Sequence, residues 1–253
     1  MPLFSRQSGE GSPLVLLHGL FGSLENLGVL ARPLSEHFCV HAVDLPNHGR
    51  SMHTASLSLS VLAETLAEWM DQQGLEKAHF VGHSLGGKAA MEFALRWPER
   101  VDSLSVLDIA PVPYSAHHDA VFKALHALDV TAVKTRQDAD QQMQAYLEDA
   151  SLRSFLLKNL QKDKEGKFHW RINLSVIARD YANILEGNRA GIYSGPVLFL
   201  KGETSPYILK EHQQAIHSCF PHAQFRIISG TGHWLHAEKP ELVSKSLLKF
   251  LLP

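Results

Sequence analysis

Residues 78 to 97 leave few folds open. An apolar run, Ala78 to Val81, leads into Gly82-His83-Ser84-Leu85-Gly86, and an alanine-rich helical pattern follows from Lys88 to Trp97. A strand that becomes a helix within one pentapeptide, with a serine between two glycines, has the form of a nucleophile elbow. Such a turn holds Ser84 in a strained backbone conformation and lifts its hydroxyl above the sheet. Small residues at 82 and 86 avoid collisions around it. The start of the helix adds positive potential where an oxyanion would form. Read alone, the pentapeptide also fits a glycine-rich loop with an incidental serine, so the rest of the chain has to decide.

The remaining pattern is that of a parallel sheet with an insertion. Leu14 to Leu17 is a near-continuous apolar run, as in a strand buried on both faces, and a polar Gly/Ser-rich stretch precedes it. Further strands are expected at Cys39–Val43, Ser103–Leu107, Val197–Leu200 and Gln224–Ile228. Helices are expected over Leu27–His37, with Pro33 near a turn or kink, and over Glu241–Leu251. Another starts at Ser58, carries Leu59, Leu62, Leu66 and Trp69 at helical spacing, and ends at Gly74. From Pro111 to Asn188 the pattern is mostly helical and no strand alternates with the helices. Lys162 to Lys167 reads there as a charged loop around Gly166. The expected architecture is an α/β core, residues 1–110 and 189–253, built on a mostly parallel sheet flanked by helices. A helical cap, residues 111–188, is inserted into it.

Composition bounds the partners. The 253 residues suit one sizeable α/β domain, and a net charge of -2 points to no nucleic-acid partner. No apolar run approaches membrane-spanning length and no signal-peptide pattern appears, so a cytoplasmic protein is expected. Cys39 and Cys219 have apolar neighbours and no C-x-x-C spacing, which suits reduced, buried thiols. The 16 histidines include no H-E-x-x-H or similar spacing, so no metal is expected; His117-His118 reads as a polar patch.

Four other features sit where chemistry at Ser84 needs them. His18-Gly19-Leu20-Phe21-Gly22 follows the first strong strand. Acyl transfer needs two backbone N–H groups aimed at the developing oxyanion; Leu85 supplies one and Leu20, or Phe21, the other. Gly230-Thr231-Gly232-His233-Trp234 follows the last expected strand and offers His233 as general base on a short loop. The acid that orients His233 has two candidate positions. Asp108 ends the strand after the elbow helix, and Glu203 lies in the turn after Leu200, where Ser205 stands at the place an aspartate is expected. Asp108 is taken ahead of Glu203, with Ser205 available to bond the acid or the base; capping a turn before Pro111 is the structural alternative for Asp108. Asp44 to Ser51 reads as a scaffold turn in which Asp44 and Arg50 pair, and Lys88 as a solvated or salt-bridged lysine. His18, His48, His83 and His236 read as structural or pocket-lining. The pocket is assigned to Leu20, Phe21, Asn26 and Trp234 from the core and to Phe122, Phe155 and Tyr181 from the cap.

In their order along the chain, His18-Gly19, Asp44 to Ser51, Gly82 to Gly86 and Gly232-His233 resemble the α/β-hydrolase family. Leu107 to Val112, Gly82 to Lys88, Ser205-Pro206-Tyr207 and Gly232 to Pro240 are more particular, and are similar to the YbfF-type bacterial serine esterases and the ABHD-type lipid hydrolases. The resemblance implies a serine esterase with a helical cap, needing no cofactor, and a triad aspartate that falls on Asp108. Ser205, where most of the wider family has Asp, is a departure that strengthens Asp108. The expected substrate is a small-molecule acyl ester or thioester of short to medium chain, acted on by a monomer or weak homo-oligomer. An acyl-CoA thioesterase and a non-hydrolytic binding protein on the same fold are the alternatives.

Overall fold

Successive residues of the central strands point to opposite faces, and both faces are covered. β1 (Ser5–Ser8), β2 (Pro13–Leu17), β3 (Cys39–Val43), β4 (Ala78–His83) and β5 (Val101–Leu107) are joined through α1 (Gly28–Leu34), α2 (Leu59–Gln72) and α3 (Leu85–Arg96). Val15 and Leu17 of β2 pack with Leu62 and Leu66 of α2 and with Ala89 and Phe93 of α3. Leu14 and Leu16 pack on the other face with Leu30 and Leu34 of α1. In β4, Phe80 and Val81 divide in the same way. That two-sided burial is why Leu14–Leu17 and Phe80–Val81 read as apolar on consecutive residues.

After β5 the chain leaves the sheet. It passes through α4 (Asp119–Ala127), α5 (Arg136–Gln144) and α6 (Ala150–Leu157), a hairpin of β6 (Leu160–Lys162) and β7 (Phe168–Trp170), then α7 (Leu174–Arg179) and α8 (Tyr181–Leu185). It returns as β8 (Val197–Gly202), α9 (Gln213–Cys219), β9 (Ala223–Ile228), α10 (Leu235–Glu238) and α11 (Pro240–Leu251). The computed structural model describes residues 3–252. Its seven-stranded sheet has the order β1-β3-β2-β4-β5-β8-β9, antiparallel only between β1 and β3. The segment between β5 and β8 buries Val121, Leu125, Leu156 and Ile184 in the same cluster as α2 and α3. Among the described residues no helix is long and apolar enough to cross a membrane.

Three expectations need correction here. The polar stretch before Pro13 holds a strand, β1, paired as Ser5↔Val43 and Arg6↔Ala42. An edge strand with an exposed face carries no apolar run to announce it. The charged loop around Gly166 is the turn of the β6–β7 hairpin, whose strands of three residues are too short to show a period. Cys39 and Cys219 are free but only half-buried. Pro33 sits inside α1, in its last turn, where little helix remains to be broken.

Candidate active site

The elbow between β4 and α3 interlocks with the neighbouring strands. Ser84 has φ 52° and ψ -117°, a conformation that a side chain normally avoids. It is held by its own N–H, which donates to the Leu107 carbonyl at 3.0 Å, and by its carbonyl, which accepts from the Lys88 N–H at 3.0 Å. A Cβ on Gly82 would overlap the Gly86 carbonyl, and one on Gly86 would overlap the Leu17 carbonyl of β2. The two glycines let strand, turn and helix close on one another while Ser84 faces outward.

Three side chains meet above the sheet. The His233 Nε2 lies 3.1 Å from the Ser84 Oγ, and its Nδ1 lies 2.7 Å from the Asp108 Oδ2. The carboxylate only accepts, so Nδ1 carries the proton and Nε2 is left to accept from the serine hydroxyl. Asp108 follows directly on β5, also at positive φ (55°), and is fully buried. Besides His233, its carboxylate accepts from the Gly202 N–H at 2.9 Å and from the Ser205 hydroxyl. Both oxygens of the buried carboxylate are thus hydrogen-bonded. Glu203 is exposed, and its Oε2 accepts from the Gly230 N–H at 2.7 Å. The geometry therefore favours Asp108 over Glu203 as the partner of His233.

His233 is braced from several sides. His83 donates through Nε2 to the His233 carbonyl at 2.9 Å, and the Tyr207 ring stacks on the His233 ring at 4.0 Å. The Tyr114 hydroxyl donates to the Tyr207 carbonyl at 2.5 Å and accepts from the Ala110 N–H at 2.9 Å. The roles of Tyr114 and Tyr207 escaped the sequence reading because their partners lie far away in the chain; the only signal was Ser205-Pro206-Tyr207 in the turn after a strand. Burial holds His83 well below its ordinary pKa and His236 down at about 4, so both are neutral beside His233.

The neighbouring turns are tied together by other buried groups. His18 accepts from the Leu45 N–H at 3.0 Å and donates to the Gly19 carbonyl at 2.8 Å, a structural role, and burial lowers its pKa to about 4. The Asp44 carboxylate accepts from the Leu24 N–H at 2.7 Å and the Arg50 N–H at 2.8 Å. The expected Asp44–Arg50 pair is thus made through the Arg50 backbone, while its guanidinium reaches Glu25 at 3.6 Å.

The loop after β2 lies against the elbow. A Cβ on Gly19 would stand 3.3 Å from the Ser84 Cβ. The Gly22 N–H donates to the Gly19 carbonyl at 3.0 Å and closes a four-residue turn around Leu20 and Phe21. Leu85 is the first residue of α3, so its N–H has no partner within the helix.

A cavity of about 710 Å³ opens above Ser84. Leu20, Phe21, Asn26 and Trp234 line it, as do Phe155 and Tyr181. The Asn26 Oδ1 is already engaged, accepting from the Ser23 N–H at 2.7 Å. Phe122 is not part of the wall; it packs behind, with ring centroids 5.5 Å from Phe21 and 5.0 Å from Tyr181. His117 and His118 also need correction: both line the cavity, with His117 bonded to the Tyr207 hydroxyl at 2.5 Å and His118 to that of Tyr181. Lys88 is neither solvated nor salt-bridged. It is 2% exposed and its ammonium donates to the carbonyls of Val112 and Glu186, with burial lowering its pKa to about 8.

The chain matches a known family. The model of the alpha/beta hydrolase fold matches residues 12–240. The chain belongs to the alpha/beta hydrolase family. Among its relatives in this family is Esterase YbfF of Escherichia coli, 38% identical over 96% of this chain and 94% of the relative. The sn-1-specific diacylglycerol lipase ABHD11 of Mus musculus is 36% identical over 94% of this chain and 80% of the relative. The solved structure of a marine microorganism esterase superposes with a TM-score of 0.96 at 39% identity, covering 98% of this chain and 99% of that one. Relatives named esterase and lipase bear out the expectation of a hydrolytic enzyme on an alpha/beta hydrolase fold.

Proposed function

We propose that the protein is a serine esterase that cleaves short- to medium-chain acyl esters through Ser84, His233 and Asp108. One observation carries this reading: an unbroken hydrogen-bonded row runs from the buried Asp108 carboxylate through His233 to the Ser84 hydroxyl at the cavity. His233 takes the hydroxyl proton as Ser84 attacks the ester carbonyl. The N–H groups of Leu20 and Leu85 stabilise the oxyanion, and Asp108 holds the imidazolium in place. His233 then protonates the leaving alcohol. Water, deprotonated by the same histidine, cleaves the acyl-enzyme. The Tyr207 ring, stacked on His233, adds cation–π stabilisation while the imidazole is charged. Residues 111–188 act as a cap, and the apolar volume they enclose with Leu20, Phe21 and Trp234 limits the acyl chain.

The test is hydrolysis of p-nitrophenyl esters from acetate to decanoate. The expected profile is turnover of the shorter esters and a fall in kcat/KM once the chain outgrows the cavity. Inactivity on every ester with turnover of acyl-CoA would replace the oxyester reading with a thioester one. Inactivity on both would point to a binding protein.

A further inference from the structure

The turn that carries the oxyanion donors is held in shape from outside the core. Gly19, Leu20, Phe21 and Gly22 form a turn closed by the Gly22 N–H to Gly19 carbonyl bond, with Phe21 at its third position and φ of 59°. A type II turn requires positive φ at that position, which glycine or asparagine normally supplies. Phenylalanine adopts it only when its surroundings over-determine it.

Those surroundings come from the segment between β5 and β8. The Asn159 side-chain amide donates to the Phe21 carbonyl at 2.7 Å, across 138 residues of chain, and both residues are buried. Asn159 is itself fixed at the end of α6. Its amide also donates to the Leu156 carbonyl at 3.2 Å, and its carbonyl accepts from the Arg171 N–H at 2.8 Å. The Phe21 ring is gripped edge-on by Phe122 at 5.5 Å and by His118 at 6.1 Å. The side-chain contacts that fix both the Phe21 carbonyl and its ring thus come from the inserted segment. The turn they fix lies against Ser84, with a Cβ on its first residue, Gly19, standing 3.3 Å from the Ser84 Cβ.

We propose that Asn159 is a positioning residue that sets the oxyanion turn through the Phe21 carbonyl, so that the inserted segment completes the reacting centre as well as covering it. This rests on the esterase reading above. Asn159 touches no substrate. It holds the Phe21–Gly22 peptide, whose N–H closes the turn on the Gly19 carbonyl, and so fixes the turn that bears the Leu20 and Phe21 N–H groups; their alignment matters only as the tetrahedral species forms. Its loss should therefore lower kcat and spare KM.

The experiment compares the full-length protein with Asn159→Ala and Phe122→Leu, using p-nitrophenyl butyrate as substrate and butylboronic acid as inhibitor. The Ser84 oxygen adds to boron, its proton passes to His233, and the tetrahedral boronate carries its negative charge at the oxyanion position. For Asn159→Ala, kcat should fall about 10- to 100-fold and the boronate inhibition constant should rise by a matching factor. KM should stay within about twofold. Phe122→Leu, which loosens the ring without altering the cavity wall, should show the same pattern at about 3- to 10-fold, and serves if Asn159→Ala does not fold. A lowered thermal midpoint with kcat and boronate affinity unchanged would reduce Asn159 to a structural residue and overturn the proposal. So would a loss confined to KM. If the native protein neither turns over the ester nor binds the boronate, the esterase reading falls and this inference with it.

Discussion

Asp108→Asn is expected to lower kcat for ester hydrolysis by about 10,000-fold while the fold and KM stay near native. The size follows from the tautomer. The carboxylate accepts the Nδ1 proton at 2.7 Å and leaves Nε2 free at 3.1 Å from the Ser84 hydroxyl. An asparagine amide placed there donates to Nδ1, drives the proton to Nε2 and aims a donor at a donor. It also removes the charge that stabilises the imidazolium. The Gly202 N–H keeps the remaining oxygen, Oδ1, and the Ser205 hydroxyl, which bonds Oδ2 in the native protein, can turn to accept from the amide, so the buried site keeps most of its hydrogen bonds. Steady-state kinetics beside Glu203→Gln separate the two acids, since Glu203 is exposed and bonded to Gly230. A collapse in the folded Glu203 variant with Asp108→Asn active would show that the acid lies on the other strand.

The second large effect is acid lability. Burial lowers His18 and His236 to about 4 and His48 to about 3, against an ordinary histidine value of 6.5. All three are under 5% exposed. In the folded protein they stay neutral at pH values where the unfolded chain takes up protons. Between pH 6.5 and about 4 the unfolded state therefore binds more protons, and stability falls as the pH falls. The contribution is fully present above pH 6.5 and is lost as the pH drops through the folded values. The three together are worth on the order of 5–10 kcal/mol, comparable with the whole stability of a typical domain. Urea unfolding at pH 7, 6 and 5 should show a midpoint that drops steeply, with two to three protons taken up on unfolding. A midpoint unchanged across that interval would mean that these rings are charged, or solvated, in the folded state.

The residues that could be read in advance are those whose geometry is local. The Gly82–Gly86 turn forces Ser84 outward because its collisions lie within five residues and one adjacent strand. Strands β2, β4, β5 and β8 were legible because burial on both faces gives each a short, largely apolar stretch. β1 was not, since one polar face of an edge strand resembles a loop. Lys88 looked like an ordinary surface cation, because nothing local indicates that carbonyls 24 and 98 residues away will close over its ammonium. Phe122 stands beside Val121 in α4, and nothing local tells the residue in the wall of the cavity from the one behind it. Asn159 carried no motif at all; its meaning lies in a carbonyl on a loop 138 residues away.

The most direct measurement is intact-mass and peptide mass spectrometry after treatment with a fluorophosphonate probe. If Ser84 is the nucleophile that His233 activates, the expected result is one adduct per chain, on the peptide containing Ser84. It should be absent from Ser84→Ala and strongly slowed in His233→Ala. A folded protein that stays unlabelled, or that carries the label on another residue, would contradict that assignment.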